Sequence, residues 1–312
     1  MDIRAYKKDI SGLGFRMLAC ALIIYGVQII SQVLLIMLNK RWAGNINILL
    51  AVTMMSQYLI GFPIAFLIMG DGVDMRAIEK HKMKPSHFFV AFAMGYTLLV
   101  AGNIIGLIVT SLIGFLKGDA VLNSLDTIVG ETNIWVTSIY TVLCAPVFEE
   151  FLFRKMICNR VIKYGQGMAI MLSGLMFGLF HGNYNQFFYA FFIGCFFAFI
   201  YVKTGKIQYT IGLHMMVNFI GSVVGGLFLQ YVDLEKLTGS TLIIAALYMV
   251  FIYGIVIVGF VLLMVNLSKL KADEGVIWID KDRRSEVMIV NAGMILYGLF
   301  FILFMDFQAF FG

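Results

Sequence analysis

Two adjacent glutamates, Glu149 and Glu150, sit in an apolar stretch with Arg154 close behind, and His181, His214 and Asn218 follow in two further apolar stretches. Ionisable groups inside a bilayer cost several kcal/mol, so each needs a partner and a reason to be there. If the stretch is helical, Glu150 and Arg154 share a face, whereas Glu149 points about 100° away from Glu150. Arg154 can then neutralise Glu150, and the pair takes an orienting role, because removing either partner strands a buried charge. That leaves Glu149 free to act as a base. His214 and Asn218 have the helical spacing of two side chains meeting one bound group, and Phe177 and His181 repeat it. Taken singly, a lone histidine is as readily a packing residue, and a Glu/Arg pair is more often an ion pair than a catalyst. It is the combination of a carboxylate, two histidines and an asparagine that points to chemistry.

The elements that must carry these residues follow from composition. Of 312 residues, 61% are hydrophobic, 13% charged and only 3 are proline. A water-soluble domain of this size could not hide that in one core, so the expected solvent is lipid. Apolar runs of about 20 residues indicate membrane-spanning helices, and alternating strands of a barrel are absent. The expectation is an all-α, polytopic transmembrane bundle of about nine spans, with eight as the alternative. The runs cover roughly 15–38, 48–69, 88–116, 134–157, 168–181, 186–202, 207–229, 242–267 and 288–304, the last being the weakest candidate. No cleavable leader is read at the start, so the first helix is expected to remain as a span.

Basic residues fall in clusters between these runs. With the N-terminus cytoplasmic, 19 of the 23 Lys and Arg lie in inside segments, and only Lys40, Arg41, Lys117 and Lys236 lie outside. The formal charge of +5 therefore reads as a topology signal and not as a nucleic-acid-binding face. Cys20, Cys144, Cys158 and Cys195 form no C-x-x-C pair and are expected to be packing residues. The Gly221 to Gly226 stretch reads as close helix packing. Helical rise from the basic ends puts Glu149 roughly 16 Å deep, His181 roughly 20 Å, His214 roughly 10 Å and Asn218 roughly 16 Å, which allows one layer reached from the cytoplasm.

The stretches APVFEEFLFRKMI (145–157), FGLFH (177–181) and HMMVN (214–218) resemble the E-E-x-x-x-R, F-x-x-x-H and H-x-x-x-N/B signatures of the CAAX protease and bacteriocin-processing (CPBP, or Abi) family, also called type II CAAX prenyl endopeptidase-like proteins. The resemblance covers roughly 134–229. It divides the chain into N-terminal spans (1–133), a catalytic helical core (134–230) and C-terminal spans (231–312) with a cytoplasmic loop at 268–287. The resemblance implies a multi-pass cell-membrane endopeptidase whose substrate is membrane-associated or lipidated. Glu149 and His181 would activate a water for attack on a peptide carbonyl, His214 and Asn218 would stabilise the oxyanion, and Glu150, Arg154 and Phe177 would support them.

Three alternatives stand beside this expectation. The same Glu149, His181 and His214 could bind zinc, which would then activate the water. The metal-free version is favoured because the histidines lie on separate helices with no H-E-x-x-H pair, and no other cofactor motif is visible. The fold could instead serve a non-proteolytic scaffold or bacteriocin-immunity protein. A proton-relaying transporter is disfavoured because inverted repeats are lacking. Oligomeric state, cleavage motif and pathway carry no sequence signal.

Overall fold

The computed structural model describes residues 3–72, 75–121, 132–234, 236 and 238–311. The chain is an all-α bundle. Its helices are α1 (Ile3–Leu38), α2 (Ile46–Gly70), α3 (Pro85–Lys117), α4 (Ile134–Tyr164), α5 (Gln166–Phe180), α6 (Tyr184–Thr204), α7 (Ile207–Tyr231), α8 (Gly239–Lys269), α9 (Lys281–Ile289) and α10 (Ala292–Phe311). Among the described residues there is no strand; the nearest approach is an isolated bridge between Gly165 and Glu274.

Eight of these helices are long and apolar enough to cross a membrane. The fifth expected span is the exception. At 15 residues, α5 covers about 22 Å, short of a hydrocarbon core of about 30 Å, so it ends inside the bundle. The first helix starts at Ile3, earlier than the apolar run, because its polar first turns are anchored: Asp9 meets Arg160 and Lys163, each at 3.0 Å. The last span starts at Ala292 and not Met288. Asn291 accepts from the Met294 amide at 3.0 Å and so caps the new helix, while the charged run before it folds separately as α9.

Three helices are not regular. Wide π-helical turns occupy Gln57–Gly61 in α2, Ser138–Cys144 and Phe151–Cys158 in α4, and Phe219–Val224 in α7. Such turns interrupt helices most often where a site is built. The Glu149–Glu150 pair and the His214 to Asn218 turn each lie in the ordinary α-helical stretch between or before these turns.

The basic loops gather at one end of the bundle. Lys7 pairs with Glu286 at 2.7 Å and Lys203 with Asp273 at 2.7 Å. The loop after α8 docks on the α4–α5 turn, with the Gln166 amide donating to Asp273 O and the Ile277 amide to Lys163 O, both at 2.9 Å. Lys203 holds the Asp273 carboxyl below the usual carboxylate range by hydrogen bonding to it. The opposite end carries the Asn45 and Asn133 caps of α2 and α4, linked where the Asn133 amide donates to Asn47 Oδ1 at 2.6 Å.

With no hydrophobic drive between helices in lipid, close approach through small residues supplies the packing. Helices α5 and α6 meet where a Cβ on Gly174 would lie 2.8 Å from the Cys195 amide nitrogen. Helices α1 and α10 cross glycine to glycine: a Cβ on Gly14 would strike the Gly293 backbone, and one on Gly293 the Ser11 carbonyl. Helix α8 buries Ala245 and Gly259, packs Ile252, Ile255 and Val256 partly against the core, and turns its remaining face outward. Gly293→Val should therefore lower the thermal midpoint in detergent by an overpacking cost of about 1–3 kcal/mol. Gly26→Ala, where nothing lies within 4 Å, should leave it within about 0.5 kcal/mol or raise it. Equal midpoints for the two variants would contradict the α1–α10 crossing.

Candidate active site

Because α5 stops within the bundle, its last-turn carbonyls need donors; the His181 and Gly182 amides reach Gly178 O and Leu179 O at 3.3 and 2.9 Å, and side chains serve others. The structure provides them one by one. Met176 O accepts from Tyr297 Oη at 2.8 Å, Phe180 O from Tyr25 Oη at 2.6 Å, and His181 O from Asn183 Nδ2 at 3.0 Å. Phe177 O lies 2.8 Å from His181 Nδ1. A carbonyl can only accept, so Nδ1 carries the proton and Nε2 keeps its lone pair. The helix end thus decides the tautomer.

On α4, Glu150 and Arg154 form the expected pair, with Arg154 Nε 3.0 Å from Glu150 Oε2 and both side chains wholly buried. The guanidinium also donates from Nη1 to Ser173 Oγ at 3.2 Å, and its carbon sits 4.5 Å from the Phe177 ring centre. Helix α7 brings in a contact that helical spacing on one chain segment does not reveal. His214 Nδ1 lies 3.0 Å from the other Glu150 oxygen, Oε1. Its Nε2 is turned towards Glu149, 3.8 Å from Oε2. Phe177 sets its ring nearly perpendicular to both imidazoles, at 4.8 Å from His181 and 5.9 Å from His214.

Glu149, Phe177, His181, His214 and Asn218 all line one cavity of about 270 Å³. Glu150 and Arg154 lie beneath it and do not. The division between a free and a neutralised glutamate, expected from a 100° step along the helix, is thus present in space. Asn218 spends one N–H on Thr141 O at 2.7 Å, a carbonyl in the first wide turn of α4, and keeps its other N–H. The remaining lining includes Tyr25, Gln28, Gln57, Tyr140, Gln186 and Gln308. A search for residues charged at neutral pH, or for histidine, in spans passes over all six. Searching instead for every hydrogen-bonding side chain in a span would have found them.

The lining of the cavity is one-sided along the helices. Glu150, Arg154 and Phe153, all with no exposure, follow Glu149 on the basic side of α4 and lie outside the lining. From His214, seven residues into α7, the lining continues away to Ser222 on the same helix, to Tyr140 on α4 and to Gln308 on α10. Each of these lies farther from the basic end than Glu149 and His214 do.

Among the described residues, no three His, Cys, Asp or Glu side chains gather as a group that could hold a metal ion. His214 Nδ1 is committed to Glu150 and His181 Nδ1 to Phe177 O. Each Nε2 is left uncommitted by these contacts, and no step below passes through a metal.

An all-α membrane bundle with a carboxylate, two histidines and an asparagine around one internal cavity is the class of protein that fold and site define together. Residues 131–220 match the model of the family described as Type II CAAX prenyl endopeptidase Rce1-like. The matched segment contains α4 to Asn218, and it bears out the resemblance carried by the three motifs. No curated protein and no solved structure matches the chain.

Arg154→Met should leave Glu150 buried without its partner and cost about 3–5 kcal/mol of stability, and adding Glu150→Gln should restore part of the loss. Thermal unfolding of the two single variants and the double in detergent measures this, and additive losses would argue against the pair. In a protein freed of its four native cysteines, a cysteine at 308 should react with an impermeant thiol reagent added on one side of a sealed vesicle. A cysteine at the exposed Lys271 should react only from the other side. Labelling of both from the same side would place the mouth at the basic end.

Proposed function

We propose that the chain is an intramembrane endopeptidase that hydrolyses peptide bonds of a membrane-associated or lipidated substrate. The observation that carries this reading is the unequal treatment of the two glutamates: Glu150 is bound on both oxygens by Arg154 and His214, whereas Glu149 reaches the cavity beside them. The family matched over residues 131–220 is one of proteases, which supports the same reading.

In the proposed reaction, a water in the cavity gives a proton to Glu149 as its oxygen adds to the scissile carbonyl. His181 accepts a hydrogen bond from that water at Nε2, the nitrogen left free by the Phe177 carbonyl. The carbonyl oxygen becomes an oxyanion, and the free N–H of Asn218 donates to it. His214, when it carries a proton on each nitrogen, donates from Nε2 while Nδ1–H stays on Glu150. Donors aimed at such an oxygen contribute about 3 kcal/mol each. The proton on Glu149 then passes to the leaving amine as the carbon–nitrogen bond breaks. Glu150 and Arg154 lie outside the cavity and position His214, and Phe177 packs against both histidines from the cavity wall. Zinc held by Glu149, His181 and His214 is the competing proposal, and the chelator experiment below separates the two.

Lys and Arg favour the cytoplasmic side, so the charge pattern supports a cytoplasmic basic end, which would turn the mouth away from the cytoplasm. Purified protein should cleave a panel of quenched, membrane-anchored or farnesylated peptides. Glu149→Ala should lose at least about 100-fold in rate, and a strong chelator should have no effect. Loss of cleavage with chelator and its return with zinc would establish the metal mechanism. Equal cutting by Glu149→Ala would remove the proposed one, and a folded protein that cuts nothing would leave the scaffold reading in front.

A further inference from the structure

We propose that the Tyr140 hydroxyl is a further donor to the developing oxyanion, acting beside Asn218; this rests on the peptidase reading of the same site. Tyr140 lies nine residues before Glu149, which on an uninterrupted helix would turn it about 180° away. The wide turn at Ser138–Cys144 takes more residues than an α-helical turn and so underwinds α4 there, and both residues line the cavity. Wide turns of this kind occur frequently at functional sites. The same turn presents the carbonyl of Thr141, next in the chain, which accepts from Asn218 Nδ2 at 2.7 Å. Tyr140 and the amide already assigned to the oxyanion are thus anchored on neighbouring residues of one turn.

The hydroxyls of the wall are not equivalent. Tyr25 Oη donates to Phe180 O at 2.6 Å and Thr141 Oγ1 to Thr137 O at 2.9 Å, so both of those protons are spent on backbone. Tyr140 Oη has no hydrogen-bond partner among the described residues, and the side chain is only partly buried. Its ring is held in place: the ring centre lies 5.9 Å from that of Tyr58, which in turn lies 4.7 Å from Phe148 and 5.5 Å from Phe62. Phe148 immediately precedes Glu149, so one aromatic group backs both the base and the phenol. A phenol is a neutral donor at neutral pH, and a donor fixed before the reaction costs no reorganisation when the oxyanion forms. Tyr58 is the contrast. It is 4% exposed, lies outside the lining and packs the neighbouring ring without a hydrogen-bond partner among the described residues. A hydroxyl that donated to Glu149 instead would favour the charged carboxylate and weaken the base, so the two roles give opposite signatures.

The test compares full-length wild-type, Tyr140→Phe and Tyr58→Phe proteins in nanodiscs on the panel of quenched, membrane-anchored or farnesylated peptides. Tyr140→Phe keeps the ring contact and should lower kcat by at least about 10-fold with KM within about twofold, the pattern of a donor that acts only in the transition state. Tyr58→Phe should stay within about twofold of wild type in both constants. A fluorescein-labelled peptidyl phosphinate, whose tetrahedral anion imitates the oxyanion, should bind Tyr140→Phe more weakly by about the factor lost in kcat. The acid limb of the kcat/KM profile against pH should not move. An unchanged kcat, a loss confined to KM, or an acid limb displaced as a hydroxyl on Glu149 would displace it each overturns this inference and leaves the peptidase. Wild-type protein that cuts none of the panel removes the peptidase reading and this inference with it, so the two failures are told apart.

Discussion

An arginine and a glutamate with no exposure, deep in an apolar bundle, set the terms for everything around them. Two charges taken out of water each cost several kcal/mol, and the cost is met only when their geometry and remaining hydrogen bonds are nearly complete. Here the further contacts come from other helices, although Arg154 Nη2 makes no hydrogen bond among the described residues. Ser173 and Phe177 of α5 and His214 of α7 all meet the Glu150–Arg154 pair of α4, and Phe197 of α6 stands at 6.0 Å from the guanidinium. Four helices are thereby registered against one ion pair. His214 and Phe177 of that cluster line the cavity.

The site's asymmetry descends from this constraint. Once Glu150 is occupied on both oxygens, Glu149 is the carboxylate presented to the cavity, and His214 is held by one nitrogen with the other facing it. The second histidine is oriented by a different necessity, since α5 ends in the bundle and its final carbonyls must be satisfied. His181 meets one of those obligations and in doing so fixes which of its nitrogens can accept from the cavity. Positioning and helix termination are the same set of hydrogen bonds.

Wide turns place the walls. The π-helical segments of α2, α4 and α7 flank the cavity, and the Thr141 carbonyl in one of them holds Asn218. Above them the α1–α2 interface continues as a polar ladder, with Ser31 and Ser56 Oγ atoms 3.0 Å apart and Gln32 Nε2 donating to Thr53 Oγ1 at 2.9 Å. Side-chain hydrogen bonds of this kind join membrane helices where apolar contact gives no preference over lipid.

By itself the sequence determined the all-α class and most of the spans, because unbroken apolar runs leave a backbone no other way to satisfy itself in lipid. It also determined the split between Glu149 and Glu150, since both lie in an ordinary α-helical stretch where the 100° step holds. The motifs marked His181, His214 and Asn218 as one group. Tertiary structure alone decided that His214 bridges the two glutamates, because that contact joins residues 64 positions apart on different helices. It also decided that the amides of Gln28, Gln57, Gln186 and Gln308 share the wall, since uncharged side chains leave little trace in a hydropathy pattern. The one-sided run of the lining along α4, α7 and α10 came from structure too, because it depends on which helices pack against one another.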